Sequence, residues 1–213
     1  MRLKNIVFLL VLLKMCITFG QNEAIKKRMV IDVGHGGIDP GAIGINNIQE
    51  KNVVLNITKA ILRLNKSILN SEFDLYLTRY TDTLISLTDR SKLAKALDAD
   101  VFVSLHCNAS KNRSRGMEVY VHQSENLNTK SSIGLGLSVL NESTKKLGFK
   151  ERGVKWANFQ VLREMVTFCP AILVEMGFVT HVDEARYFLK SENTRAMALS
   201  ILLGIDNYLN NAL

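Results

Sequence analysis

The 213-residue chain has only two prolines, Pro40 and Pro170, one tryptophan and three cysteines. No proline-, serine- or glycine-rich tract divides it and no internal repeat runs through it, which argues against linked modules and solenoids. Three cysteines are too few for a disulfide-stapled scaffold, so a hydrophobic core must supply the stability. With 47% hydrophobic residues, this length supports one sizeable core and not comfortably two. No H-E-x-x-H occurs, which excludes the helical metalloprotease site, and no Gly-Lys-Ser/Thr follows a glycine run, which excludes a P-loop. Basic helices, RNP-type aromatics and zinc-finger spacings are also missing. The formal charge of +7 therefore does not point to nucleic acid.

Part of that charge sits at the N-terminus. "MRLKN" is basic, "IVFLLVLLKMCITF" is apolar, and small residues lead to Gly20. This pattern predicts a cleaved secretory signal over residues 1–20, a short polar leader over 21–28 and one domain over 29–210. The apolar stretch is short for a membrane span and is broken by Lys14, so no stable span is expected in the mature form. Met15 and Lys14 before Cys16 do not suit a lipidation signal. Without residues 1–20 the chain loses Arg2, Lys4 and Lys14, and its formal charge falls to +4. A mildly basic exported protein, in the periplasm or cell envelope, suits an anionic envelope polymer.

From Met29 onward, strand-like and helix-like segments alternate, which predicts an α/β fold. Strands are expected at 29–33, 73–79, 100–108, 117–122 and 171–178. Val54, Ile57, Ile61, Leu64 and Ile68 recur at helical spacing, as do Ala198, Ile201, Leu202, Ile205 and Leu209. Ser86 with Asp89 and Thr180 with Asp183 read as capping boxes for two further helices.

In open α/β sheets, sites collect at the carboxyl ends of the strands. His35 follows the first strand within "VIDVGHGGIDPG", His106 ends the third, and Glu175 lies late in the last, while Glu50 opens the first helix. Two histidines and a carboxylate are the ligand types of a catalytic zinc site with one position left to water, whose pKa zinc lowers to about 7. A hydrolase also needs a carboxylate off the metal to carry the water's proton to the leaving amine. Glu175 sits in the apolar run "ILVEMGF", where burying a carboxylate is costly unless something cationic compensates. Each residue alone also has a plain reading. Glu50 suits a helix start electrostatically, and His106 could be a hydrogen-bonded core histidine. Cys107 beside His106 invites a thiol mechanism, but strand alternation lets only one of the two side chains reach the site.

Taken together, "VIDVGHGGIDPGAIG", "QEKNVVLNI", "LTRYTDT", "FVSLHCNAS", "RGMEVYV", "ERGVKWANFQVLR" and "AILVEMGFVT" resemble the zinc-dependent N-acetylmuramoyl-L-alanine amidases of the type 3 family, from about Met29 to Tyr208. The resemblance implies one zinc ion per chain held by His35, Glu50 and His106, with Glu175 as the catalytic carboxylate. It also implies a twisted, mostly parallel sheet of about six strands with helices on both faces. The implied substrate is peptidoglycan, cut between the muramic acid lactyl group and L-alanine of the stem peptide. A zinc peptidase acting within stem peptides and a non-catalytic peptidoglycan-binding module are the alternatives. Arg79, Arg90, Arg152 and Asn158 fall in the matching segments and are candidate substrate contacts. Glycines around His35 are expected to keep the turn low for a bulky polymer.

Val33, Cys107 and His181 stand where the family commonly has proline, alanine and asparagine, and none of them is a proposed ligand. Some relatives carry a long helical insertion after the fourth strand that plugs the zinc cleft until a partner withdraws it. Here only "QSENLNTK" separates that strand from a helix expected near Ser131, so no activator protein is expected to be required. Cys107 and Cys169 should lie at opposite ends of parallel strands and stay unpaired.

Overall fold

The computed structural model describes residues 26–211, so the expected signal segment and most of the leader lie outside the described residues. Six strands form one sheet: β1 (Arg28–Val33), β2 (Asp74–Leu77), β3 (Val101–Asn108), β4 (Met117–Val121), β5 (Glu151–Trp156) and β6 (Ala171–Phe178). Six helices flank it: α1 (Glu50–Ser67), α2 (Leu87–Ala96), α3 (Leu127–Leu147), α4 (Gln160–Met165), α5 (Val182–Phe188) and α6 (Ser191–Asn211). The strand order is β2-β1-β3-β6-β4-β5, and every neighbouring pair is parallel except β4 with β6.

Alternation along each strand gives the sheet two unlike faces. Ile31, Val103 and Val174 pack with Ile57 and Ile61 of α1, Val139 of α3 and Ile201 of α6 into the larger core. Val30, Phe102 and Leu173 face the other way, onto Ala94 of α2 and Leu162 of α4. These two helices are short, so they cover only part of that face. The carboxyl ends of β1, β3 and β6 are left beside an open cleft.

β5 was not expected as a strand. "ERGVKW" places Glu151, Arg152 and Lys155 around Gly153, without the apolar alternation of a half-buried strand, because it is the sheet's edge and faces solvent. Ser86 caps α2 as its sequence predicts, accepting the Asp89 N–H at 3.1 Å. Thr180 does not cap α5. Its hydroxyl accepts the Ser110 N–H at 2.9 Å, and His181 stands at the N-cap without a side-chain hydrogen bond. α3 starts at Leu127, four residues before the expected position, because Asn126 accepts the Asn128 N–H at 2.9 Å.

Parallel pairing of β3 with β6 in the register Phe102 to Ala171 sets the two cysteines far apart. Cys107 is near the end of β3 and Cys169 lies just before β6, so seven residues of strand rise separate them by on the order of 20 Å. Both are buried and unpaired. Burial pushes the Cys169 thiol up to about 12 and holds the Cys107 thiol well above its ordinary value. A chain produced from residue 21 onward should therefore show two free thiols when labelled under denaturing, non-reducing conditions, and only slow labelling when native at pH 8. A monomer with no free thiol would contradict the register.

Candidate metal centre and active site

His35 sits in the turn after β1 with a φ of 58°, a conformation that costs a non-glycine residue about 1–3 kcal/mol and is kept only where the surroundings impose it. From there its Nε2 lies 3.1 Å from Glu50 Oε1. Glu50, the first residue of α1, is buried, and its Oε1 also lies 2.8 Å from His106 Nδ1 and accepts the Cys107 N–H at 2.9 Å. Its other oxygen accepts the Ala42 N–H at 2.8 Å, which fixes the plane of the carboxylate. One ligand atom from each of His35, Glu50 and His106 falls within 4.8 Å of the others. Two imidazole nitrogens and a carboxylate oxygen at that spacing fit a divalent metal of the zinc type, with a position left over.

Asp39 supports this set. Its Oδ2 lies 2.7 Å from His35 Nδ1, leaving Nε2 as the nitrogen that faces Glu50. A carboxylate behind a metal-binding imidazole sets the ring's tautomer and orientation. Sequence reasoning missed Asp39, although an acid four residues after a histidine in so tight a turn was the available signal. In the metal-free protein, burial would lower the His35 pKa, but the Glu50 and Asp39 carboxylates outweigh it and raise the value to about 9. Burial would likewise raise Glu50, and its hydrogen bonds to His106 and His35 hold it well below the usual carboxylate range.

Two of the glycines make room for the side chains of this set. A Cβ on Gly34 would stand 2.6 Å from His106 Cε1. On Gly41, whose φ is 63°, it would stand 2.5 Å from His35 Cδ2 and 2.6 Å from Glu50 Oε2. Any other residue at either position would push these three side chains apart.

Glu175 pairs in register with His106 on one side and Glu118 on the other, so it shares their face of the sheet. It lines the same cleft as His35 and His106, a cavity of about 770 Å³ bordered by Leu84, Leu87 and Phe159. Its Oε2 is buried with no hydrogen-bond partner. Burial pushes its pKa up to about 7; His106 opposes this, while Glu50 and Glu118 add to it. Cys107 points into the larger core instead, as alternation requires.

Glu118, also missed from sequence, is the buried hub beside Glu175. It accepts from Asn108 at 2.8 Å, Tyr120 at 2.9 Å, Arg152 at 2.6 Å and Lys155. Burial would raise its pKa, and the Lys155, Arg152 and Tyr120 hydrogen bonds bring it below the ordinary value. Its signal was the polar pair Glu118 and Tyr120 alternating with buried valines in "MEVYV". Arg152 is thus paired with Glu118 and stacked over the Phe178 ring at 5.1 Å. Asn158 lies outside the cleft lining and accepts from Arg163 at 2.8 Å. Arg79 and Arg90 lie under the His35 turn, bonded to its backbone, and Arg90, though buried, also borders the cleft.

Such a cleft at the carboxyl edge of a mostly parallel sheet, with a His-Glu-His set and a second, unpaired carboxylate beside it, defines a metal-dependent hydrolase. The N-acetylmuramoyl-L-alanine amidase family profile matches residues 29–207, and the chain belongs to that family. It is 38% identical to the endolysin of Bacillus phage SPP1 over 87% of this chain and 67% of that protein. The crystal structure of an N-acetylmuramoyl-L-alanine amidase from Clostridium difficile 630 superposes with a TM-score of 0.80 at 34% identity, covering 88% of this chain and 98% of that one. The CwlD amidase of Clostridioides difficile, solved in complex with the GerS lipoprotein, superposes at 0.77 with 25% identity, covering 87% of this chain and all of that one.

The raised Glu175 value carries a stability consequence in metal-free protein. Below about pH 4.5 the carboxyl is protonated folded or unfolded, and it adds no pH dependence to the stability. Between about 4.5 and 7 the unfolded chain releases the proton while the fold retains it, so stability falls as pH rises. Above that window the loss is full, on the order of 1–3 kcal/mol. Denaturant titration of chelator-treated protein should find Glu175→Gln more stable than the parent at pH 8, with the gap closing toward pH 4.5. A gap independent of pH would contradict this assignment.

Proposed function

We propose that this chain is an exported, zinc-dependent amidase of the periplasm or cell envelope. The bond it hydrolyses is the amide between the muramic acid lactyl group and L-alanine of the stem peptide in peptidoglycan. The observation that carries the reading is the convergence of His35, Glu50 and His106 next to Glu175, whose Oε2 is buried without a partner. Bound zinc would supply Lewis acidity and a water acidified to near neutral pH. His35 Nε2, His106 Nδ1 and Glu50 would hold the ion, and Asp39 would keep the His35 ring oriented. Glu175 would take the water's proton on its carboxylate and deliver it to the departing alanine nitrogen. Its buried, unpartnered carboxylate lies beside the metal set, where it can take up and pass on a proton. Leu84, Leu87 and Phe159 give the cleft apolar, solvent-exposed walls.

A pure binding module would gain nothing from a buried, unpartnered carboxylate, whose desolvation is a standing cost. A peptidase cutting within the stem remains distinct only in which amide is placed over Glu175. Among the described residues no helix is long and apolar enough to cross a membrane.

The link from β4 to α3 comprises residues 122–126. Five residues extend less than one helical turn beyond what the turn itself needs, too little to lay a helix over the cleft. On this ground we infer that the catalytic domain works without an activator, although one relative has been solved in complex with a lipoprotein.

Purified zinc-loaded protein should release stem peptides with a free N-terminal alanine from peptidoglycan, read by mass spectrometry, with no added partner. New reducing sugar ends, or cuts inside the stem, would overturn the bond assignment, and activity only upon adding an envelope protein would overturn independence. Glu175→Gln should retain zinc and lose 10²–10⁴-fold in turnover. His106→Ala should lose metal and activity together. Metal loss in the Glu175 variant with retention in the His106 variant would reverse the roles.

A further inference from the structure

Beneath the His35 turn, two buried guanidinium groups bind a run of backbone carbonyls. Arg79 Nε donates to Val33 O at 3.2 Å and Nη1 to Thr81 O at 3.1 Å. Its Nη2 donates both to Gly34 O at 2.9 Å and to Lys51 O at 2.8 Å. Arg90 Nη1 donates to Val33 O at 2.6 Å and Asp32 Oδ1 at 2.7 Å, Nη2 to His35 O at 2.9 Å, and Nε to Ile85 O at 3.1 Å. Both residues are only 3% exposed. Of the five N–H groups a guanidinium offers, little is left on either arginine for a bound substrate.

The pattern of acceptors is specific. The carbonyls of residues 33, 34 and 35 leave the sheet ladder as the chain turns, and each would be a costly buried orphan without an arginine. Arg79 Nη2 joins the carbonyl just before His35 to the carbonyl just after Glu50. One nitrogen therefore ties together, from behind, the backbones that carry two of the three metal-binding side chains. Arg90 holds the carbonyl of His35 itself, the residue kept in the left-handed conformation. From the outer side, Asp82 accepts the Gly37 N–H and the Lys51 ammonium, both at 2.8 Å, and Lys51 reaches Gly37 O at 2.7 Å. Asp32, held by Ser104 and Thr78 at 2.6 and 2.9 Å, balances the Arg90 charge. Burial and the adjacent Arg90 charge hold Arg79 below its ordinary value, a desolvation cost of the kind a positional constraint must justify.

We propose that Arg79 and Arg90 are positioning residues of the metal centre, clamping the backbone around His35 and Glu50 so that the ligand atoms meet at metal-binding distance, and are not substrate contacts. The proposal rests on reading the His-Glu-His set as a metal site. Arg79→Lys keeps the charge, but one ammonium cannot reach carbonyls 33, 34, 51 and 81 together. Its zinc Kd, measured by chelator competition, should rise about 10–100-fold, the usual effect of removing a group that orients a ligand. The visible spectrum of the Co(II)-substituted variant should shift, while KM for a soluble muropeptide at saturating zinc stays at the parent value. An unchanged zinc Kd and Co(II) spectrum with a raised KM would overturn the proposal in favour of substrate contact. Asp82→Asn, at an exposed site, loosens the same turn from outside and should weaken zinc several-fold. Should the Arg79 variant fail to fold, an unchanged zinc Kd in Asp82→Asn overturns the proposal instead. A parent protein that binds no zinc would defeat the metal reading itself, which distinguishes that failure from failure of the clamp.

Discussion

The structure depends on bringing one oxygen, Glu50 Oε1, within 3.1 Å of His35 Nε2 and 2.8 Å of His106 Nδ1 at the edge of a sheet. Three polar side chains from three separate elements cannot crowd together unless the backbone between them is nearly bare. Gly34 and Gly41 meet that requirement, since a Cβ would overlap His106 at the first, and His35 and Glu50 at the second. The strained φ of His35 is the other side of the same constraint. β1 must stop, turn back and aim an imidazole across its own end, which no extended residue can do.

The fold answers that demand with an unequal division of cover. The long helices α1, α3 and α6 seal one face of the sheet, while short α2 and α4 leave the carboxyl edge of the other face open. The open face carries His106, Glu175 and Glu118 in one row across β3, β6 and β4. Neighbouring acids would repel strongly were Glu118 not bound by Arg152 and Lys155. Glu175 is the member of the row whose buried Oε2 has no hydrogen-bond partner, which is why the proposed function gives it the proton transfer.

Much of this was readable from residues alone. β1, β3 and β6 are buried on both faces and appear as dense apolar runs, and α1 shows its packed stripe at helical spacing. His35, Glu50 and His106 stood out because they sit at or near a strand end or a helix start, and Glu175 because it interrupts an apolar strand. β5 escaped notice since an edge strand needs no apolar alternation. Asp39 escaped because only the folded turn brings its carboxylate onto the His35 ring, and Glu118 because most of its partners lie on other strands. Arg79 and Arg90 were visible as arginines in matching segments, but their direction was not. Only the placement of carbonyls 33 to 35 shows that they face the backbone beneath the turn.

The central claim is that these three side chains form one metal centre, with Glu175 beside it and not in it. A crystal structure of the zinc-loaded protein with anomalous data at the zinc edge tests this most directly. The account predicts a single strong peak about 2.0–2.2 Å from His35 Nε2, His106 Nδ1 and a Glu50 oxygen, with Glu175 uncoordinated. A peak elsewhere, or one ligated by Glu175 or Cys107, would contradict it.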